Sequence, residues 1–237
     1  MPQPKDCGNF QSKEQILKIV FKNQDFLVVN KPPLVPSQKD LSGDADAMTL
    51  AAEILKAKGE NDKLWLVHRL DRVVGGLLVF ARCPKAAAYF SAEVQNGGLF
   101  KGYLAVAEGE APGGVLSDFI YKDSASGKAY AVKTERKGAK AAELVYKPLS
   151  FNNGKTLVDI ELKTGRFHQI RVQFSSRQMS LVGDKKYGSR DSLSKRPALF
   201  AYKLGFFYNG KKYLFKALPD LTLYPWNLYE KDIYEEA

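Results

Sequence analysis

Val67-His68-Arg69-Leu70-Asp71, followed after three residues by Gly75-Gly76-Leu77-Leu78-Val79-Phe80-Ala81, is the stretch on which the reading of this 237-residue chain turns. A charged His-Arg-x-Asp run is pressed between two apolar segments that both read as buried strands. Leu64-Trp65-Leu66-Val67 leads in, and Leu77 to Ala81 leads out. Aspartate is a poor strand residue and costly to bury without a partner. A carboxylate on a short turn between buried strands is therefore tied to a basic group or placed for chemistry, unless it merely bonds its own turn backbone.

Matching pieces lie along the rest of the chain. Lys101-Gly102-Tyr103-Leu104-Ala105-Val106-Ala107-Glu108 is a strand pattern with one embedded tyrosine, and Leu157 to Leu162 alternates with Val158, Ile160 and Leu162 on one face. Asp25 to Asn30 reads as a buried strand stopped by Lys31-Pro32-Pro33. Helical spacing runs from Thr49 to Lys58, with Gly59 as its cap, and from Pro84 to Asn96, closed by Gly97-Gly98. A meander follows through Val115–Phe119 and Ala141–Pro148. Thr164 can cap a helix from about Arg166 to Ser175, on which Phe167, Ile170 and Phe174 form an apolar stripe beside Arg171. The last third, Leu199 to Phe206 and Lys212 to Phe215, is strand-like again. The pattern implies an α+β fold: a large mixed, mostly antiparallel sheet with flanking helices.

Composition narrows the function. Apolar residues make up 45% of the chain, with 14 Phe and 12 Tyr, as in a folded domain rather than a disordered tail. No apolar run reaches the roughly 20 residues of a membrane helix, and the N-terminus lacks the apolar core of a signal peptide, so the chain reads as cytoplasmic. With only Cys7 and Cys83 and no C-x-x-C, neither a disulfide framework nor a structural zinc site is expected. There is no phosphate-binding Walker loop and no histidine cluster, so no cofactor or metal is expected. The net charge of +10 points to a polyanionic partner. The basic residues bunch at Lys133, Arg136, Lys137 and Lys140 and again at Lys185, Lys186 and Arg190, which suits a nucleic-acid track.

Four motifs in order carry a resemblance. His68-Arg69-Leu70-Asp71, Lys101-Gly102-Tyr103-Leu104-Ala105, Thr164-Gly165-Arg166-Phe167-His168-Gln169-Ile170-Arg171 and Gly183-Asp184-Lys185-Lys186-Tyr187-Gly188 together resemble the RluA-type RNA pseudouridine synthases from about Asp25 to about Leu221. The resemblance implies a sheet split by a central active-site cleft, with a catalytic domain at 25–230 behind an N-terminal extension at 1–24. That extension leaves no room for the small S4 domain many relatives carry. RNA, ribosomal or transfer, is the implied partner, gripped by the catalytic domain itself or by a further partner, and the protein is expected to be a monomer.

The resemblance also assigns roles. Asp71 is the essential carboxylate that acts at the ribose C1′ or removes the 2′ proton while uracil detaches, turns and rejoins through C5. Arg171 pairs with it, opposing the pKa rise that burial causes. Tyr103 packs on the flipped base, and its phenol is a slow candidate for moving the C5 proton. Arg69 meets RNA and fills the gap that the flipped nucleotide leaves, with Arg166, Lys185 and Lys186 as further RNA contacts. His68 and His168, the chain's two histidines, read as structural. The isomerisation is redox-neutral and needs no cofactor.

Three departures stand out. Val73-Val74-Gly75-Gly76 replaces the hydroxyl pair of H-R-L-D-x-x-T-S-G, Gln178-Met179-Ser180 replaces Gly-His-Pro, and Phe200 replaces the histidine of an L-H-A motif. They keep a second reading open, a catalytically inactive RNA-binding protein with the same fold. A third reading, a glycosylase releasing free base, lacks the second acid such chemistry usually uses.

Overall fold

The computed structural model describes residues 17–236. Eleven strands form one open sheet: β1 (Lys18–Lys22), β2 (Phe26–Lys31), β3 (Trp65–Leu66), β4 (Gly75–Ala81), β5 (Phe100–Glu108), β6 (Gly114–Asp123), β7 (Lys128–Val132), β8 (Ala139–Asn152), β9 (Lys155–Leu162), β10 (Leu199–Tyr208) and β11 (Lys211–Lys216). The order across the sheet is β1-β2-β4-β10-β5-β9-β8-β6-β7, with β11 on β10 and β3 on β4. Every pairing is antiparallel except β4 with β10, so the sheet is mixed and mostly antiparallel, as the alternation implied. Among the described residues four helices flank it: α1 (Ala47–Ala57), α2 (Pro84–Asn96), α3 (Gln169–Ser175) and α4 (Glu230–Glu236). β1 falls inside the stretch read as an extension, and it pairs with β2 as part of the sheet.

The parallel junction is where the sheet parts. β10 touches β4 only through Phe200↔Gly75 and Ala201↔Gly76, then turns its other half to β11. Gly76 sits at φ 123°, and a Cβ there would fall 2.2 Å from the Ala201 carbonyl oxygen, so only glycine permits this approach. A Cβ on Gly75 would meet the Phe200 ring at 3.2 Å and Pro33 at 3.1 Å. Two of the departures from the family pattern therefore touch each other: the ring at 200 occupies space that a serine at 75 would need. A Gly75→Ser variant is expected to lose about 1–3 kcal/mol of stability through overpacking. Joining it to Phe200→His should recover part of that loss in denaturant melts, and strictly additive losses would disprove the coupling.

The largest core lies on one face of the sheet, where Leu50, Ile54 and Leu55 of α1 and Ile170 and Phe174 of α3 cover Val29, Leu78, Tyr103, Val158 and Ile160. On the other face α2 packs Phe90 into Phe26, Leu77, Val79 and Phe206. The strand face predicted from Val158, Ile160 and Leu162 is the core-facing one.

Two helix starts differ from expectation. α1 begins at Ala47 because Asp46 is its cap: Oδ1 accepts from the Met48 and Thr49 amides, and the Thr49 hydroxyl donates to Oδ2. α3 begins only at Gln169, after His168 in the left-handed region at φ 53°. Thr164 does not cap it. Its hydroxyl donates to Gln169 Oε1, which also accepts the Arg166 amide, so the 164–168 segment is a loop braced by the helix's own first side chain. Phe167 consequently leaves the expected stripe and stacks on the His168 ring at 3.8 Å.

Candidate active site

Asp71 sits on the loop entering β4, and its neighbours are held on both sides. The buried Ser37 hydroxyl donates to the Leu70 carbonyl at 2.9 Å and accepts the Leu70 amide at 3.0 Å. The Arg72 carbonyl accepts the Leu34 amide at 2.7 Å, and the Val74 amide closes a turn onto the Asp71 carbonyl. Lys31, with no solvent-exposed surface, donates to the carbonyls of Val35 at 2.7 Å, Pro32 at 3.0 Å and Arg72 at 3.4 Å. Burial pushes its ammonium down to about 7, and the nearby Asp71 carboxylate opposes this. Ser37 and Lys31 therefore do the bracing in a loop that lacks the family's hydroxyl pair. The sequence reading missed both; it took Lys31-Pro32-Pro33 as a strand terminator.

Arg171 comes from α3. Its side chain is 5% exposed, and the helix is pinned from below by Gln173, whose Nε2 donates to Asp118 Oδ2 at 2.8 Å and to the Leu116 carbonyl at 3.1 Å. The guanidinium makes a two-pronged pair with Asp184, Nε to Oδ2 at 2.7 Å and Nη2 to Oδ1 at 2.8 Å, and extends Nη1 to Asp71 Oδ2 at 3.3 Å. The expected contact of Arg171 with Asp71 is present, but the bidentate grip belongs to Asp184, which the sequence marks only as part of its Gly-Asp motif. A carboxylate just after the apolar Leu181-Val182 raises the same question that singled out Asp71, and that signal was available.

The second contact on Asp71 Oδ2 is His168. Tyr187 Oη accepts the Ala129 amide at 2.8 Å, so its proton is free to go to His168 Nδ1, also at 2.8 Å. That leaves the proton of the neutral imidazole on Nε2, which faces Asp71 Oδ2 at 3.7 Å. Oδ2 is thus the held oxygen, and among the described residues Oδ1 accepts no hydrogen bond. Burial raises the Asp71 pKa above its ordinary value, while Arg171, Lys31 and Arg69 pull it back. Burial also raises the Tyr103 phenol, and the Asp71 charge adds to this, which favours the neutral phenol at neutral pH.

Both histidines are held neutral. Burial lowers each to about 3, helped by Lys101 at His68 and by Arg171 and Lys186 at His168. Their folded pKa lies below the unfolded value of 6.5, so the unfolded chain binds more protons in between. Their stabilising contribution is intact above about pH 6.5 and is lost as pH falls toward 3. At pH 5 the loss should be about 2 kcal/mol for each histidine. Urea melts at pH 7 and pH 5 measure it, and a His68→Gln variant should show a smaller drop; an equal drop would count against it.

A cleft of about 1100 Å³ opens at this point, lined by Arg69, Asp71, Tyr103, Arg166 and His168 among others. A smaller recess of about 80 Å³ shares these residues and reaches Val74, Ile170, Arg171 and Leu199. Asp71, Tyr103, Arg171, Arg69 and Arg166 are thus brought together. Lys185 and Lys186 are not among the cleft's lining. They form a short 3-10 turn, and Lys185 Nζ donates to the carbonyls of Ser189 and Asp191. Among the described residues, no group of three or more His, Cys, Asp or Glu could hold a metal ion.

Comparison with known proteins agrees with this geometry. Residues 25–176 match the RNA pseudouridylate synthase family. The chain is 32% identical over 193 residues to the uncharacterized RNA pseudouridine synthase YhcT of Bacillus subtilis, covering 79% of this chain and 63% of the relative. It is 29% identical to the ribosomal large subunit pseudouridine synthase D of Zymomonas mobilis, covering 92% and 73%. The solved structure of human RNA Pseudouridylate Synthase Domain Containing 1 superposes with a TM-score of 0.73 at 25% identity, covering 91% of this chain and 87% of that one. With three of its motifs meeting in one cleft, the fourth holding Arg171 through Asp184, and the family match spanning the first three, the chain belongs to the RNA pseudouridylate synthase family, in the RluA-type branch.

Proposed function

We propose that this protein is an RNA pseudouridine synthase, isomerising uridines in RNA through Asp71. The observation that carries the proposal is the one-sided carboxylate: Oδ2 is held by Arg171 and faces His168, and Oδ1 is left free to act at the sugar of an extruded nucleotide. Burial strengthens electrostatic contacts within the cleft, and the Arg171 guanidinium keeps the carboxylate ionised against the cost of that burial. Tyr103 offers its ring to the base; base–aromatic stacking is worth roughly 1–3 kcal/mol, comparable to the cost of unstacking a nucleotide. Arg69, exposed at the rim, fills the gap left in the RNA, and Arg166 contacts the strand. Lys185 and Lys186, which are not part of the cleft's lining, serve RNA beside it.

Ribosomal or transfer RNA is the substrate; the Zymomonas relative, named for the large ribosomal subunit, favours ribosomal RNA. The protein acts as a monomer in the cytoplasm. No helix among the described residues is long and apolar enough to cross a membrane. The inactive-binder reading finds no support in the site, because each proposed pocket group is present and the departures at 73–76 and 200 are accommodated by packing. The test is release of tritium from [5-³H]uridine-labelled RNA taken from cells lacking the gene. Release with recovery of pseudouridine supports the proposal. Free uracil instead would indicate a glycosylase, and RNA binding with neither product would indicate the inactive binder.

A further inference from the structure

Lys101 lies on β5 two residues before Tyr103, on the same face, so the strand rise places the two Cα atoms about 6.6 Å apart. Its side chain is half-buried beside the Thr164–Arg166 loop, where a Cβ on Gly165 would come 3.7 Å from its ammonium. Burial, and after it the Arg166 guanidinium, pushes Lys101 below its usual range. Among the described residues it has no ion pair and no hydrogen bond.

Four other cations around the cleft have partners. Arg72 pairs with Asp44, Lys163 pairs with Glu161, Lys122 lies 4.8 Å from the centre of the Phe167 ring, and Arg166 Nε donates to the Ala141 carbonyl at 2.8 Å. The cleft wall around Lys101 holds one more unanswered donor. His68 Nε2 accepts the Val79 amide at 3.3 Å, so its proton is on Nδ1, and that buried atom has no partner. Lys101 and an orphaned N–H thus stand without an acceptor, with the Arg166 guanidinium close enough to act on Lys101. Half-burying an unpaired cation next to another is unfavourable, and an anion between them reverses both penalties. A neutral uracil carbonyl cannot do so, whereas a phosphodiester carries the full charge. The Lys101–Tyr103 spacing sets such a group one short step from a base on the tyrosine.

We propose that Lys101 and Arg166 form a phosphate subsite for the phosphodiester flanking the extruded uridine, a proposal that rests on the RNA-modifying reading above. The experiment titrates wild-type, Lys101→Met and Lys101→Arg proteins with an RNA hairpin bearing a single loop uridine. The hairpin is made with all-phosphodiester linkages or with neutral methylphosphonates on both sides of that uridine.

Lys101→Met is expected to bind the phosphodiester hairpin about 5- to 10-fold more weakly and to lose about one unit from the slope of log affinity against log salt. It should bind the methylphosphonate hairpin as wild type does. Lys101→Arg, which keeps the charge, should stay within about threefold of wild type. Lys101→Met is also expected to melt about 2–4 °C higher, because an unpaired charge has been removed. Equal losses on both hairpins, unchanged affinity, or a lower melting temperature would each overturn the subsite. The two readings fail separately: wild-type protein that shows this coupling but releases no tritium sinks the isomerase and leaves the subsite standing. Tritium release without the coupling removes the subsite alone.

Discussion

Asp71→Asn protein is expected to release no measurable tritium from uridine-labelled RNA, a loss on the order of 10⁴-fold or more, the scale seen when a nucleophile or its base is removed. It should still bind RNA within a few-fold, since the basic rim is untouched. Asparagine keeps the shape of the side chain and an oxygen for Arg171 Nη1, now 3.3 Å from Oδ2, but it has no charge to attack C1′ or take the 2′ proton.

Stability separates this from a folding defect. Burial holds the Asp71 pKa above its unfolded value, so the folded protein binds the extra proton. Stability linked to this group is fully present below the unfolded carboxylate pKa and is lost as pH rises through the folded one. Removing the charge should therefore leave the melting temperature at pH 7 equal to wild type or higher, with the difference vanishing in acid. Activity in the Asn variant would refute the assignment. Inactivity with a collapsed melting temperature would make Asp71 a structural residue instead.

Much of the architecture is written locally. β4, β5 and β9 are readable because apolar runs and strict alternation fall within single strands, and α2 is readable because Pro84 opens it and Gly97, at φ 75°, closes it. The segment Leu64 to Val67 reads as a buried strand, and the structure keeps only Trp65 and Leu66 of it, half-buried and paired with Ala81 and Phe80. β7, Lys128 to Val132, is held by β6 and lies between the two segments that the meander pattern marks. The start of α3 is a tertiary outcome: Thr164 is a good cap by type, but the Gln169 amide oxygen takes its hydroxyl and the Arg166 amide, and the helix waits three residues. Lys31 illustrates the reverse limit. A lysine next to two prolines reads as a surface stop, and only the folded loop supplies the three carbonyls that let it be buried. The departures at Gly75 and Phe200 read as separate losses until the parallel junction puts them in contact.

The pairing of Arg171 with Asp184 yields the second large effect. Asp184 is 1% exposed and offers both oxygens to the guanidinium, at 2.7 and 2.8 Å. Removing one partner of such a pair leaves a buried charge uncompensated, so Asp184→Ala should lose about 3–5 kcal/mol of stability in denaturant melts. A purely structural role predicts that loss and nothing more. As a positioning residue Asp184 does something further: it occupies Nε and Nη2, so that only Nη1 reaches Asp71.

Without Asp184, Asp71 becomes the only carboxylate within reach of the guanidinium, which is free to close on it with two hydrogen bonds. The tighter pair lowers the Asp71 pKa and weakens it as a nucleophile or base. The acid limb of the rate profile should then move to lower pH while kcat falls about 10- to 100-fold, the usual cost of losing such a support. Asp184→Asn, which keeps one acceptor, should lie between Ala and wild type in both measurements. A destabilised Ala variant whose acid limb stays where wild type has it would confine Asp184 to the fold. A limb displaced upward would mean that Arg171 has swung away from Asp71, and the shared guanidinium would not be what keeps the carboxylate charged.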